Sequence, residues 1–558
     1  MKQELALSIL KSGKNVFLTG SAGTGKTYVL NQYITYLKER KVPVAVTAST
    51  GIAATHINGM TIHSWAGIGI KDSLSPAQMR TLKTKKYLEK KLEKVEVLII
   101  DEISMLHQRQ LALVDQVLKY FKMNQLPFGG IQVVFCGDFF QLPPVGNDNE
   151  PSKSKFCFMS PAWVNAAPHI CYLTQQYRQT NDELNSILNE IRSGNISESR
   201  YSKLQSAVGQ KIKSKIDPTK LFTHNYDVDT INEQELKKLK AKSKFFSAET
   251  KGNEKLLEGL KKSVLAMERM ELKLGAKVMF VRNIPEKGVV NGSLGEIVDF
   301  DEEENYPLVR LTDDRLVIAS PEDWKIQDET GKVLAQFNQI PLRLAWAITI
   351  HKSQGMTLDA AEIDLSNTFE KGQGYVALSR LKKLENLKLL GINQMALQVD
   401  SLAFKADKRF QELSGKAEQE SKTAELENEA KKFIKKCGGT TDKKEILKQK
   451  GKIKTKSKKE STYDQTYDLI KLGRSISEIA EERGMVEGTI ASHIIKLKKE
   501  YPEANLSKYK PKKSIVDAVE IAYKSKPKNE VLSTKSIYDE LNGKVSYTDI
   551  KLALAFII

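Results

Sequence analysis

The residues best equipped for chemistry lie near the start of the chain. Gly20-Ser21-Ala22-Gly23-Thr24-Gly25-Lys26-Thr27 fits the spacing GxxxxGK[ST]. Glycines let backbone N–H groups turn inward around phosphates, and a following helix presents its positive end to them. At this spacing Lys26 reaches the β and γ oxygens of ATP, and the Thr27 hydroxyl is placed to ligate Mg²⁺. The flanks agree with this reading. Asn15–Gly20 (NVFLTG) reads as a buried strand, and 28–40 (YVLNQYITYLKER) reads as a helix.

A second group of acids follows. Leu98-Ile99-Ile100-Asp101-Glu102 puts two carboxylates at the end of an apolar strand, where ligands of open α/β sheets bind. Asp101 would hold Mg²⁺ through water, and Glu102 would orient or deprotonate an attacking water. Val133–Asp138 is another apolar run ending in an acid, followed by Phe139, Phe140, Gln141 and the rigid Pro143-Pro144 turn. Gln141 would sense the γ-phosphate. Phe139 or Phe140 would face bases, or else both rings belong to the core.

These side chains need a scaffold, and the hydropathy pattern supplies one. From Asn15 to about Gly391 short apolar runs alternate with amphipathic stretches of ten or more residues, the mark of parallel strands covered by helices. The stretch 274–345 differs, with scattered glycines and short alternating pieces (KVMFV, GEIVDF) that predict a small antiparallel barrel. Residues 431–459 hold 13 Lys against only Asp442 and Glu445, which reads as a flexible basic linker or a poorly packed helix. A compact apolar pattern resumes after Glu460. The 558-residue chain has a formal net charge of +18, which favours a polyanionic partner through counterion release. No apolar run approaches the length of a membrane span. Four cysteines without CxxC spacing, and no leader-like start, fit a cytoplasmic protein with reduced thiols.

Taken in order, the motifs GSAGTGKT, VTASTGIAATHINGMTIHSWAGIG, LIIDEISML, CGDFFQLPPV, LTQQYRQTND, LFTHNYDVDTINEQEL, LKLGAKVMFVRN with VNGSLGEI, PLRLAWAITIHKSQGMTLD and GQGYVALSR resemble those of the Pif-one-type DNA helicases. These are relatives of the RecD-like enzymes in the B branch of helicase superfamily one. The resemblance spans roughly residues 3–391. It implies an α/β chain with two RecA-like P-loop domains, 1–178 (with a small insert about 67–94) and 179–395, the second carrying an SH3-like β insert about 274–345. A basic linker (396–460), a helix-turn-helix (461–500) and a small helical unit (501–558) would follow. The implied activity is ATP-dependent unwinding of duplex DNA by 5′-to-3′ movement on single-stranded DNA, in genome maintenance. ATP and Mg²⁺ would be its cofactors, single strands and forked duplex its DNA partners, and single-strand-binding or repair proteins possible companions.

The resemblance also assigns further residues. Gln3 would read adenine, and Gly355 of HKSQG would lie beside the nucleotide. Arg178 would reach the γ-phosphate from the first domain and Arg380 from the second. Thr47, Thr50, His63, His351, Lys352 and Ser353 would hold DNA phosphates, with Phe139 as a stacking face. His351 has the alternative of a buried structural role. At the C-terminal end, 462–497 resembles the helix-turn-helix of some bacterial RecQ-like helicases, with Gly484 at the turn and Thr489–Leu497 as the second helix. That module would grip duplex DNA or dock a protein. Rival readings are a translocase that strips proteins from DNA and a DNA-binding regulator that uses ATP as a switch.

Overall fold

In a computed structural model, the chain divides into two compact units, Met1–Asp301 with Tyr306–Ile446, and Glu302–Asn305 with Leu447–Ile558. The structure describes residues 1–57, 59–69, 71–144, 146, 150–177, 182–212, 217–223, 228–301, 304–327, 333–457, 462–483, 485–500, 506–525 and 534–557.

The first unit opens with a six-stranded, wholly parallel sheet: β1 Val16–Gly20, β2 Val44–Ala48, β3 Met60–Thr61, β4 Val97–Asp101, β5 Gln132–Cys136 and β6 His169–Leu173, in the order β3-β2-β4-β5-β1-β6. β1, β4 and β5 are buried at every position, which is why they read as unbroken apolar runs rather than alternations. Helices α1 (Gln3–Lys11), α2 (Lys26–Glu39) and α3 (Gly51–His56) follow the strand order into the layers around it. The segment 67–94 carries two short helices, Pro76–Lys83 and Lys86–Lys94. They seat Met79, Leu82, Leu88 and Leu92 in the same core.

After α4 (Asp182–Ser193) comes a second parallel sheet of four strands, β7 (Thr219–Phe222), β8 (Ala347–Thr349), β9 (Ala361–Leu365) and β10 (Leu387–Ile392), in the order β8-β7-β9-β10. Helix α5 (Gln373–Leu378) lies between its last two strands and is buried throughout. Between β7 and β8 the chain makes an antiparallel excursion. A five-stranded sheet over Lys277–Phe280, Leu294–Phe300, Pro307–Leu311, Leu316–Ile318 and Leu342–Leu344 closes on Val278, Phe280, Ile297 and Val309. The excursion starts earlier than the glycine pattern predicts, with strands at Lys244–Ser247 and Glu249–Gly252 pairing into it.

Of the two readings of the lysine-rich stretch, a flexible linker or a poorly packed helix, it is helix that forms, and the linker expected over 396–460 is largely helical in its described residues. Helices α6 (Ser401–Glu420) and α7 (Thr423–Lys436) pack on the first domain, and a further helix spans Lys443–Ser457. Leu426, Ile434 and Cys437 are buried in one cluster with Ile9, Leu10 and Val16. These apolar positions recur at helical spacing, so the lysines between them occupy the solvent face.

The second unit is all helical: α8 (Thr462–Lys471), α9 (Ile476–Arg483), α10 (Glu487–Glu500), α11 (Lys513–Lys524), α12 (Thr534–Glu540) and α13 (Tyr547–Ile557). Leu552 of α13 shares a core with Ile479, Ile490, Ile494 and Leu497, so the segments expected as separate units at 461–500 and 501–558 form one body. Gly484 lies outside the described residues. No helix among the described residues is long and apolar enough to cross a membrane.

Candidate active site

The phosphate loop joins β1 to α2. Gly20, Gly23 and Gly25 all take positive φ (140°, 93° and 81°), open to glycine at little cost. A Cβ on Gly20 would stand 2.5 Å from the Leu173 carbonyl oxygen, so both conformation and space demand glycine there. Lys26 begins α2, and its ammonium donates to the Gly20 and Ser21 carbonyls at 2.8 and 3.1 Å. Burial pulls its pKa down, while Asp138, Cys136 and Glu102 hold it up. Thr27 follows on the exposed side of the helix.

The acids expected beside the loop converge on it. Asp101 ends β4 fully inside the sheet. Burial raises its pKa, against a hydrogen bond from the Cys136 thiol, the Glu102 N–H at 2.9 Å and the Lys26 charge. Glu102 itself has φ +49°, the left-handed region that costs a side-chain-bearing residue about 1 kcal/mol or more. The strain turns its carboxyl toward the loop, and Ser49 Oγ fixes the turn by donating to the Glu102 carbonyl at 2.6 Å. Burial and the adjacent Asp101 push the Glu102 pKa up to about 7, opposed by Lys26 and by Arg380 of the second domain. Among the described residues no cluster of three or more His, Cys, Asp or Glu could cage a metal. Mg²⁺ does not need one, since it binds through one or two oxygen ligands plus substrate phosphates. A desolvated carboxylate at Asp101 and a hydroxyl at Thr27 are oxygen donors of that kind.

The second domain closes the pocket. Gln354 Nε2 lies 3.3 Å from both Glu102 Oε2 and Gln141 Oε1, tying two first-domain acceptors to one amide. Arg380 is buried, and its Nε and Nη2 donate to the Val376 carbonyl (2.9 Å) and the Ser379 hydroxyl (2.8 Å). Tyr375 Oη accepts from the Ala22 N–H of the phosphate loop (3.2 Å) and donates to Asp138 Oδ2 (3.1 Å). Arg192 of α4 reaches the same place. Its Nη1 lies 2.8 Å from both Asp138 carboxylate oxygens and 3.0 Å from Tyr375 Oη, and its Nη2 donates to Tyr172 Oη (2.7 Å) and Asp407 Oδ1 (3.3 Å).

Gln3 donates from Nε2 to the Thr24 carbonyl at 3.0 Å, against the loop as expected. Arg178 lies outside the described residues. The segment leading to it is tied to the loop, with Gln176 Nε2 donating to Ser21 Oγ (2.5 Å) and the Tyr177 N–H to the Gly23 carbonyl (3.0 Å). Gly355, expected beside the nucleotide, is exposed, a Cβ there would meet the His56 ring at 3.0 Å, and the preceding Gln354 reaches Glu102.

Three expected DNA contacts are also corrected. Thr47 is buried and spends its hydroxyl on the Ile99 carbonyl (2.6 Å), and Ser353 is buried with its hydroxyl on Ile350 (2.7 Å). Phe139 is 5% exposed, with its ring 5.3 Å from Phe17 and 4.8 Å from Phe158, so it is core rather than a stacking face. Thr50 caps α3 by accepting from the Ala53 N–H at 3.3 Å. His63, His351 and Lys352 are half-buried. Burial lowers the pKa of His351, and Lys352 lies 3.7 Å from Asp229. Sequence reasoning missed Gln354, Tyr375 and Arg192. The first two stand inside motifs already singled out, whereas Arg192 carries no local signal.

Comparison with known proteins adds the following. Residues 2–202 match the PIF1-like helicase family, 255–300 match the 2B domain of DNA helicase Pif1, and 462–554 match a helix-turn-helix domain. The chain is 44% identical to the ATP-dependent DNA helicase Pif1 of Psychrobacter sp. (strain PRwf-1), covering 100% of both chains. It is 38% identical to the human ATP-dependent DNA helicase PIF1 over 72% of this chain, spanning 62% of that protein. The crystal structure of Bacteroides sp Pif1 in complex with ADP-AlF4 has a TM-score of 0.65 at 31% identity, covering 74% of this chain and 96% of that one. The structure of Bacteroides Pif1 bound to ssDNA has a TM-score of 0.52 at 31% identity, covering 74% and 97%.

Proposed function

The chain belongs to the PIF1-like helicase family, and from that membership we propose that it couples ATP hydrolysis at the Lys26 loop to 5′-to-3′ movement on single-stranded DNA and to duplex unwinding. It is an ATP-dependent DNA helicase. The observation that carries the mechanistic reading is the meeting of both α/β domains on one carboxylate: Glu102 receives the Gln354 amide and feels the Arg380 charge, both from the second domain.

Lys26 and the loop amides hold the phosphates of ATP, and Gln3 reads the base beside Thr24. Thr27 and Asp101 would hold Mg²⁺, which supplies charge neutralisation between the phosphate oxygens. Glu102, its pKa raised to about 7 by burial and Asp101, takes a proton from the attacking water in its ionised form, and Gln141 holds the terminal phosphate. Arg380 and, by the family resemblance, Arg178 would stabilise the developing charge from the two domains, so turnover would require domain closure. Thr50, His63, His351 and Lys352 contact the strand. Closure then shifts one domain's grip on DNA relative to the other.

The test is unwinding of a duplex carrying a 5′ or a 3′ single-stranded tail, with and without ATP and Mg²⁺. Separation of the 5′-tailed substrate alone, lost in Lys26→Ala and Glu102→Gln, is the expected result. Hydrolysis without separation on either substrate would indicate a translocase, and wild-type turnover in either variant would remove the catalytic assignments.

A further inference from the structure

Tyr375 stands at an unusual place. It belongs to the second domain, on α5, yet its hydroxyl occupies an amide of the phosphate loop in the first. Ala22 N–H lies two residues after Gly20, within the loop whose backbone amides and lysine cradle the β- and γ-phosphates of a bound triphosphate. An amide N–H is one donor. A phosphate oxygen drawn to Ala22 must therefore take the position of the Tyr375 oxygen.

The hydroxyl is not a casual occupant. The side chain is fully buried, and its oxygen also meets Asp138 Oδ2 at 3.1 Å and Arg192 Nη1 at 3.0 Å. Asp138 is in turn clasped by Arg192 through both carboxylate oxygens, and the guanidinium continues to Tyr172 and Asp407. A polar chain thus runs from the loop amide to α6, passing through groups from both α/β domains. Tyr375 and Arg380 lie about one and a half turns apart along the same stretch, and Arg380 Nε is anchored to the carbonyl of Val376, the residue after Tyr375. A shift of the tyrosine is a shift of the segment that carries the arginine.

We infer that Tyr375 is a positioning residue that stands in for the terminal phosphate: its hydroxyl competes with the γ-phosphate of ATP for the Ala22 amide, and its displacement moves α5 and Arg380 into the catalytic arrangement. ADP, lacking that phosphate, leaves the tyrosine in place. The two nucleotides are then distinguished by whether a second-domain hydroxyl has been evicted, and domain closure is keyed to the triphosphate. This inference rests on the assignment of ATP to the Lys26 loop.

Tyr375→Phe tests it, since the ring is kept and only the hydroxyl is lost. Affinities for mant-AMPPNP and mant-ADP are measured by fluorescence, and steady-state turnover is measured with and without single-stranded DNA. Removing one competing hydrogen bond should tighten mant-AMPPNP about two- to tenfold while leaving mant-ADP unchanged. The DNA-stimulated kcat should fall about tenfold, because Arg380 is no longer driven into place. Triphosphate and diphosphate affinities that move together, or not at all, would overturn the inference. Absence of nucleotide binding and turnover in the wild type, with Lys26→Ala indistinguishable from it, would remove the proposed function itself. A fluorotyrosine at 375 keeps the hydroxyl but weakens it as an acceptor. It should give an intermediate shift in the same direction, a graded readout that stands even where the phenylalanine variant melts early.

Discussion

Arg192 offers the sharpest test of how the two halves of the motor are held. It is 7% exposed and Asp138 is 1% exposed, and the guanidinium engages both carboxylate oxygens at 2.8 Å. It also lies 4.3 Å from the Phe140 ring centroid, a second attraction that a truncated side chain loses. Arg192→Ala leaves Asp138 with only the Phe140 N–H at 3.2 Å, the Tyr375 hydroxyl and the charge of Lys26. Breaking a buried pair by removing one partner costs about 3–5 kcal/mol, most of it the stranded charge. In a domain of this size that is about 6–20 °C in Tm, at about 2–4 °C per kcal/mol.

The pH dependence of that loss has a definite sign. Asp138 burial raises its pKa, but Arg192, Lys26 and the hydrogen bonds to Arg192 and the Phe140 N–H more than reverse this and hold it below the usual carboxylate range. Such a group stabilises the fold above the unfolded pKa and loses that contribution as pH falls through the folded one. Without the guanidinium, burial drives the Asp138 pKa up instead, and the same carboxylate penalises the fold more as pH rises. The deficit of Arg192→Ala should therefore grow between pH 5 and pH 8, roughly tracking the ionisation of one carboxyl. Scanning calorimetry at several pH values reads it. The double variant Arg192→Met with Asp138→Leu should recover about 2 kcal/mol or more of the single-variant loss, because no charge is then stranded. A single-variant deficit under about 1 kcal/mol, or strict additivity in the double, would refute the reasoning.

With its pKa near 7, Glu102 acts as a base only above that value, so single-turnover hydrolysis should lose about tenfold per pH unit below it. A flat profile from pH 5.5 to 8 would contradict the role. Phe139→Ala should cost about 3–5 kcal/mol in stability, with oligonucleotide affinity of the folded variant within about twofold of wild type. A tenfold loss of affinity at unchanged Tm would restore the ring as a DNA contact. Ile434→Asp should destabilise the motor by about 3 kcal/mol or more, since it buries a charge against α1. A linker that packs on nothing would tolerate it, and an unchanged melting curve would say so.

What the sequence made legible is the part whose chemistry demands fixed residue types at fixed spacing. A phosphate loop needs glycine where φ is positive and a lysine at the helix start, so Gly20, Gly25 and Lys26 could be read in place. Glu102 could be read because an acid after a buried strand falls at the ligand edge of a parallel sheet. Arg192 could not, because its partners Asp138, Tyr172, Tyr375 and Asp407 arrive from distant elements, as far as 215 residues along the chain. Short hydroxyls misled in a consistent way. Thr47 and Ser353 have the chemistry to hold a phosphate, but each is buried, Thr47 in β2 and Ser353 in the turn after β8, and each donates its hydroxyl to a carbonyl of the chain itself. The lysine-rich stretch misled through its composition. Lysines on one face conceal a stripe of Leu426, Ala430, Ile434 and Cys437 on the other, and the stripe decides where the helix goes.

The same physics bears on the second unit. The pattern read as a recognition helix is real as a helix, α10, but its apolar positions do not confine themselves to one side. Ile490, Ala491, Ile494 and Leu497 are buried, and so are Thr489 and His493, whose imidazole Nδ1 lies 2.7 Å from Thr466 Oγ1. A helix apolar on more than one face is covered on more than one face. Here α8 and α9 lie against it on the chain-order side, and α13 returns to pack along it as well. Ser492 is half-buried and donates back to the Gly488 carbonyl at 3.1 Å. A helix that reads a major groove must offer several free side chains along one side. Near the middle of α10 the described side chains of Ser492 and His493 are engaged within the unit.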